Sequence, residues 1–163
     1  MNGGIEMGNF FQDIIAKDPQ FKSPLRVSSM MLLEPITRVA VLNIVADAAA
    51  QGIALMVWET FRSRQRQRVL YDQHATQLHT VGVHHYGLAA DVVKDVNGEP
   101  SWKGDFTFLV ALAKKHGLIS GADWGEPGKP HSFVDQVHVQ RIAVIHQMRL
   151  FSTDWYPGND YVA

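Results

Sequence analysis

Cysteine is absent from the 163-residue chain, and with it go disulfide scaffolds, thiolate metal sites and cysteine nucleophiles. A metal held by this protein would have to be bound through histidine and carboxylate. An excess of either charge is missing too, since 15 Lys and Arg stand against 16 Asp and Glu, a formal charge of −1. The chain as a whole therefore lacks the electrostatic footprint of a nucleic-acid binder. Long apolar runs are lacking as well. Ile53 to Trp58 and Phe108 to Ala113 hold six residues each, far below the ~20 that span a bilayer, so no membrane insertion is expected. The amino-terminal stretch offers Glu6 and Asp13 before its first basic side chain, Lys17. It has no apolar core followed by a small-residue cleavage site, so synthesis in the cytoplasm without a signal peptide is expected.

What is present is globular in character, with 46% hydrophobic and 19% charged residues and no repeat or low-complexity tract. The length predicts a single domain over residues 1–163, with 1–30 a helical extension and 146–163 a tail packed on the core. Phe10, Phe11, Ile14 and Ile15 recur at helical spacing and predict a helix from Met7 to Lys17,. A second helix starts at Pro35 and stops before Gly52, with Val39, Leu42, Ile44, Val45 and Ala49 as its apolar stripe,. Ile53 to Phe61 reads as a buried strand, followed by a helix capped by Ser63 and running to about His74 with Leu70 inward,. Leu88 to Val93 reads as a strand closed by an Asn97-Gly98 turn, and Phe106 to His116 as a helix ended by Gly117,. Gln136 to Gln140 alternates polar with apolar, a half-buried strand with His138 on its polar face,. Helices around a few antiparallel strands make an α+β domain.

Eight histidines are present, and most fall in the least regular segments. His84 precedes a strand that carries Asp91, and Asp135 and His138 supply a second carboxylate and imidazole. A catalytic zinc takes three such N and O ligands and leaves a fourth position for water. His84, Asp91 and His138 would make that set, although the HExxH helix signature of many zinc proteases is absent. On residue chemistry alone, a hydrogen-bonded polar cluster is the alternative.

The wider pattern is more specific. Gly82-Val83-His84-His85-Tyr86-Gly87-Leu88-Ala89-Ala90-Asp91 resembles the Ser-x-His-x-x-Gly-x-Ala-x-Asp motif of the zinc D-Ala-D-Ala carboxypeptidase and L-alanyl-D-glutamate endopeptidase family. Asp135, two residues and then His138 resemble its second motif, Phe61-Arg62-Ser63 its Tyr-Arg-Ser turn, and Gly121-Ala122-Asp123-Trp124 a further element near the cleft. The likeness runs roughly from Glu34 to Gln140. It implies a small antiparallel sheet carrying the zinc site between helices, one Zn²⁺ per chain on His84, Asp91 and His138, and peptidoglycan stem peptide as substrate. By the same resemblance Asp135 is the general base and Arg62 touches substrate or the developing oxyanion. Ser63, His85, Asp123 and Trp124 are candidate substrate contacts. An aspartate base resembles the phage endopeptidases more than the dipeptidases, which tend to use glutamate.

Two positions depart from the family pattern. Gly82 replaces the serine two before the first ligand, and Val139-Gln140 replaces the usual Phe-Glu after the last. The first loosens a contact with substrate or a ligand's partner, and the second removes an aromatic wall and a carboxylate beside the metal. His85 is also the rival ligand if the register shifts by one, and Asp123-Trp124 has an equally good account as a structural turn. His131 is expected in a loop and His116 at a helix end. Of Arg62, Arg64, Arg66 and Arg68, all but Arg62 are expected on a solvated face,. The leading expectation is an endolysin-like, monomeric peptidase for the L-Ala to D-Glu bond, reaching the wall by phage-type release or a secretion machine. A D-Ala-D-Ala carboxypeptidase and a non-catalytic zinc-containing binding module are the alternatives.

Overall fold

A computed structural model describes residues 8–123 and 135–163. Its strands are β1 (Leu55–Glu59), β2 (Ala89–Val96), β3 (Glu99–Ser101), β4 (Ile119–Ser120) and β5 (His138–Gln140). They form one antiparallel sheet in the order β1-β2-β5-β4, with β3 paired to β2. The β2–β3 hairpin closes at Asn97 and Gly98, whose φ angles of 54° and 86° are both positive, as a two-residue type I′ turn requires. The helices are α1 (Phe10–Asp13), α2 (Pro35–Ala50), α3 (Arg64–Asp72), α4 (Thr107–Lys115) and α5 (Gln147–Phe151), joined by short 3-10 turns. The α+β expectation is met.

Alternation along β2 divides the sheet into a packed face and a chemical face. Ala90, Val92 and Val139 join Val41, Ile44 and Ala48 of α2 and Leu109, Leu112 and Ala113 of α4 in the main core. Ala89, on the opposite face, joins Val83, Tyr86, Leu88, Ile142 and Leu150, and Trp155, Tyr156 and Tyr161 of the carboxy-terminal segment pack against them. That segment is tied down by polar contacts as well: Tyr156 donates to the Tyr86 carbonyl at 2.8 Å and Arg141 to the Gly158 carbonyl at 2.5 Å. A third cluster, Ile15, Val27, Leu32 and Phe61 with Phe10, Phe11 and Phe21, anchors the amino-terminal stretch.

Three local expectations are corrected. The first predicted helix is α1 alone among the described residues, since Ile14 departs to φ −115° and a 3-10 turn at Ile15–Lys17 delivers Ile15 to its cluster. Helix α2 has the predicted span, but it buries Thr37, Ala40, Val41, Ile44 and Ala48 and leaves Val39 and Leu42 exposed. Twelve of the sixteen residues of α2 are apolar and they lie on every side, so hydrophobicity does not select a face. Small alanines that allow close approach to α4 select it, as does Glu34, which caps the helix by accepting from Ile36 and Thr37,. Buried Arg141 lies 3.2 Å from the same carboxylate. In α3 the buried residue is Gln67, while Leu70 is half-buried. The Gln67 amide is drawn inward by donating to the Leu78 carbonyl at 2.8 Å.

Candidate metal centre

Sheet register assembles the centre. Asp91 of β2 stands directly opposite His138 of β5, and on its other side opposite Glu59 of β1. The second pairing depends on a bulge between Val57 and Glu59, a device that re-aims a side chain beside a site. His84 arrives on the 3-10 turn Val83–Tyr86, which ends at Gly87 with φ +72°. A Cβ on Gly87 would also lie 2.7 Å from the Leu32 carbonyl oxygen, so position 87 needs glycine for both conformation and space.

His84 Nε2, Asp91 Oδ1 and His138 Nδ1 then converge. His84 Nε2 is 3.3 Å and His138 Nδ1 3.4 Å from Asp91 Oδ1, and the two nitrogens are 3.2 Å apart. Tetrahedral coordination with bonds of ~2.0–2.2 Å places ligand atoms about 3.3–3.6 Å from one another. The protonation pattern fits the same group. The Thr60 carbonyl, which can only accept, lies 2.7 Å from His84 Nδ1, so that nitrogen carries the hydrogen and Nε2 presents a lone pair. Asp91 Oδ1 is buried without a hydrogen bond among the described residues. Buried lone pairs facing one another are unfavourable until a cation joins them. The residues present therefore fit zinc.

Charges around the centre are organised to match. Burial alone would raise the Asp91 carboxyl, but the His84 and His138 imidazoles hold it well below the usual carboxylate range,. Burial opposes charge on His138, and Asp91 overrides it, so before zinc binds His138 holds a proton more firmly than an ordinary histidine, the proton that zinc would replace,. Arg62 braces the second Asp91 oxygen at 3.3 Å while binding Glu59 Oε1 through Nε at 2.9 Å and Gln67 Oε1 at 3.3 Å. Glu59 is 2% exposed and also takes Arg66 at 3.0 Å. Asp135 stands at the mouth of β5, where burial first and the Asp91 charge second raise its carboxyl above the ordinary value. A carboxylate so placed is a better proton acceptor.

Gly121 sets the position of Asp135. Its carbonyl accepts from the Asp135 N–H at 3.2 Å, and a Cβ on it would sit 2.3 Å from the Asp135 carbonyl oxygen. Gly121→Ala must displace that backbone, and a displacement near 1 Å costs on the order of 10²-fold in rate. The variant is expected to keep its zinc and lose turnover to that extent; unchanged turnover would show that Asp135 tolerates displacement.

A cleft of about 420 Å³ opens over the centre, lined by Arg62, His84, Asp135 and His138 together with residues from 76–83 and 144–151. Gly82 lines it, and a Cβ there would meet only the Leu78 Cδ1 atom at 3.4 Å, so the missing family serine leaves ordinary space. The candidate contacts Ser63, His85 and Asp123 are not among the residues that line it. Ser63 is buried as the α3 cap, accepting from the Arg66 N–H at 2.9 Å and donating to the Ser23 carbonyl. Asp123 is exposed at the end of its 3-10 turn, and Trp124 and His131 lie outside the described residues. His85 is 2% exposed among Phe11, Phe21 and Phe61, and none of these residues lines the cleft.

That placement gives His85 a pH signature. Burial lowers its pKa from 6.5 to about 4, even though the Arg62 carbonyl receives its Nδ1–H at 3.1 Å. Between those values the unfolded chain binds a proton that the folded protein refuses, so the full stability present above pH ~6.5 falls as pH drops toward ~4. The contribution is about 3 kcal/mol. The unfolding free energy of wild type, measured relative to His85→Leu, should fall by that amount between pH 7 and 4; parallel curves would contradict it.

Sequence reasoning missed Glu59, Thr60 and Gln67, which act on the ligands or on Arg62. A lone carboxylate ending an apolar strand was the one available signal, at Glu59. Thr60 acts through its backbone carbonyl, which no side-chain pattern reports.

A buried His-Asp-His set on an antiparallel sheet, with a raised carboxylate in the same cleft, defines a metal-dependent hydrolase. No family model matches the chain. It is 30% identical over 129 residues to the peptidoglycan L-alanyl-D-glutamate endopeptidase CwlK of Bacillus subtilis, covering 68% of this chain and 74% of that protein. Among solved structures, the L-Ala D-Glu endopeptidase ChiX of Serratia marcescens superposes with a TM-score of 0.53 at 22% identity, over 72% of this chain and 90% of that one. The zinc-bound D,D-pentapeptidase VanY superposes with a TM-score of 0.53 at 12% identity, over 74% and 78%. The chain belongs to the zinc D-Ala-D-Ala peptidase-like family of peptidoglycan peptidases.

Proposed function

We propose that the protein hydrolyses the L-Ala to D-Glu bond of peptidoglycan stem peptides, as an endolysin-type, bacteriolytic peptidase acting as a monomer. The observation that carries this reading is the convergence of His84, Asp91 and His138, with both histidines lining the cleft that also holds Asp135. Kinship with CwlK supports the choice of bond. Zinc held by His84, Asp91 and His138 would supply a Lewis acid and acidify water toward a pKa of ~7. Asp135 is the group placed to accept a proton from the water that adds to the scissile carbonyl and to return it to the leaving amine, so one water is added across the amide. Arg62 holds Asp91 in position and lines the cleft, where its positive charge stabilises charge gathering on the carbonyl oxygen. The substrate places the site of action in the wall, reached by phage-type release or through a secretion machine.

A muropeptide with a full pentapeptide stem tests the choice of bond. The expected products carry a new D-Glu amino terminus and leave L-Ala on the muramyl side. Free D-Ala alone would assign the protein to the carboxypeptidases instead.

A further inference from the structure

The residue that departs from the family pattern beside the last ligand proves to be that ligand's partner. Gln140 is 1% exposed and stands two residues after His138 on the same face of β5. Its Oε1 lies 2.9 Å from His138 Nε2, and its Nε2 donates to the Ile142 carbonyl at 2.6 Å and to Gln147 Oε1 at 2.9 Å. The direction of this chain is fixed by chemistry. A backbone carbonyl only accepts, so the NH₂ of Gln140 must face Ile142, and its oxygen must face the imidazole. His138 then carries its hydrogen on Nε2 and presents the Nδ1 lone pair to Asp91 and His84.

We propose that Gln140 is a positioning residue that fixes the tautomer and ring orientation of His138 through a neutral amide, itself anchored by Gln147 of α5. The inference rests on reading His84, Asp91 and His138 as the zinc ligands. It gives the cleft-side helix a direct mechanical link to the centre, because Gln147 also lines the cleft. A carboxylate at position 140 could accept the same hydrogen bond. It could not donate to Ile142, and it would require Gln147 to turn its amide around.

Zinc affinity by chelator competition, together with the ring-nitrogen spectrum of His138 at pH 8, tests the relay. Gln140→Leu keeps the bulk and removes the acceptor, and its zinc dissociation constant is expected to rise roughly 10–100-fold. Gln140→Glu restores the acceptor and is expected to recover most of that loss, with Gln147 reversed. In wild type Nε2 carries the proton, and in Gln140→Leu that preference is lost. If Gln140→Leu does not fold, Gln147→Leu, which removes only the anchor, is expected to weaken zinc binding in the same direction by a smaller factor. Equal zinc affinity in wild type and Gln140→Leu, or equal weakness in Gln140→Leu and Gln140→Glu, would overturn the proposal, the latter showing a packing role alone. Wild-type protein that takes up no zinc would overturn the metal assignment, and the relay would then stand or fall on the nitrogen spectrum.

Discussion

Asp135→Asn is expected to lower turnover by roughly 10²–10⁴-fold while the zinc content stays at one per chain. The substitution keeps the shape of the side chain and removes the proton acceptor. Asp135 is not one of the three converging ligands, which come from β2, β5 and the turn before β2, so metal binding and proton transfer separate in this variant. Among the described residues, the nearby carboxylates do not take over the role. Glu59 is committed to Arg62 and Arg66, and Asp91 is held in its charged form by the imidazoles. Turnover by stopped assays on muropeptide, with zinc measured on the same sample, checks the expectation. Wild-type rates would mean that another group accepts the proton.

Asp91→Ala is expected to abolish zinc binding, a larger effect than the roughly 10–100-fold loss typical when only a ligand's partner is removed. Asp91 is the middle of three strands' worth of polar side chains, flanked in register by Glu59 and His138. Its removal takes away a ligand and the carboxylate that balances Arg62 at 3.3 Å, leaving a half-buried cation with one partner fewer. Zinc per chain, read after dialysis against a weak chelator, should fall from one to none, with hydrolysis lost in parallel. Stoichiometric zinc in the variant would place the metal elsewhere.

The candidate ligands were legible because they lie in short motifs whose geometry is local. Asp91 comes seven residues after His84, and between them Gly87 permits the turn that starts β2. The alternation of Gln136 to Gln140 put His138 on a polar face, but that face is buried: all three residues of β5 are inaccessible, since the polar side is the metal centre and not the surface. His84 and His85 could not be separated by composition. Register decides between them, sending one ring to Asp91 and the other into the phenylalanine cluster. The face of α2 was not legible, because apolar residues on every side leave the choice to packing. The bulge that sets Glu59 opposite Asp91 is a product of strand pairing across 32 residues and has no local signature.

The measurement that bears most directly on the account is a digest of purified peptidoglycan with zinc-loaded protein and with chelated protein, its products read by mass spectrometry. Fragments with a new D-Glu amino terminus, present with zinc and absent after chelation, are the predicted result. Intact muropeptides in both samples, beside proven zinc at one per chain, would contradict it and leave a zinc-containing binding module.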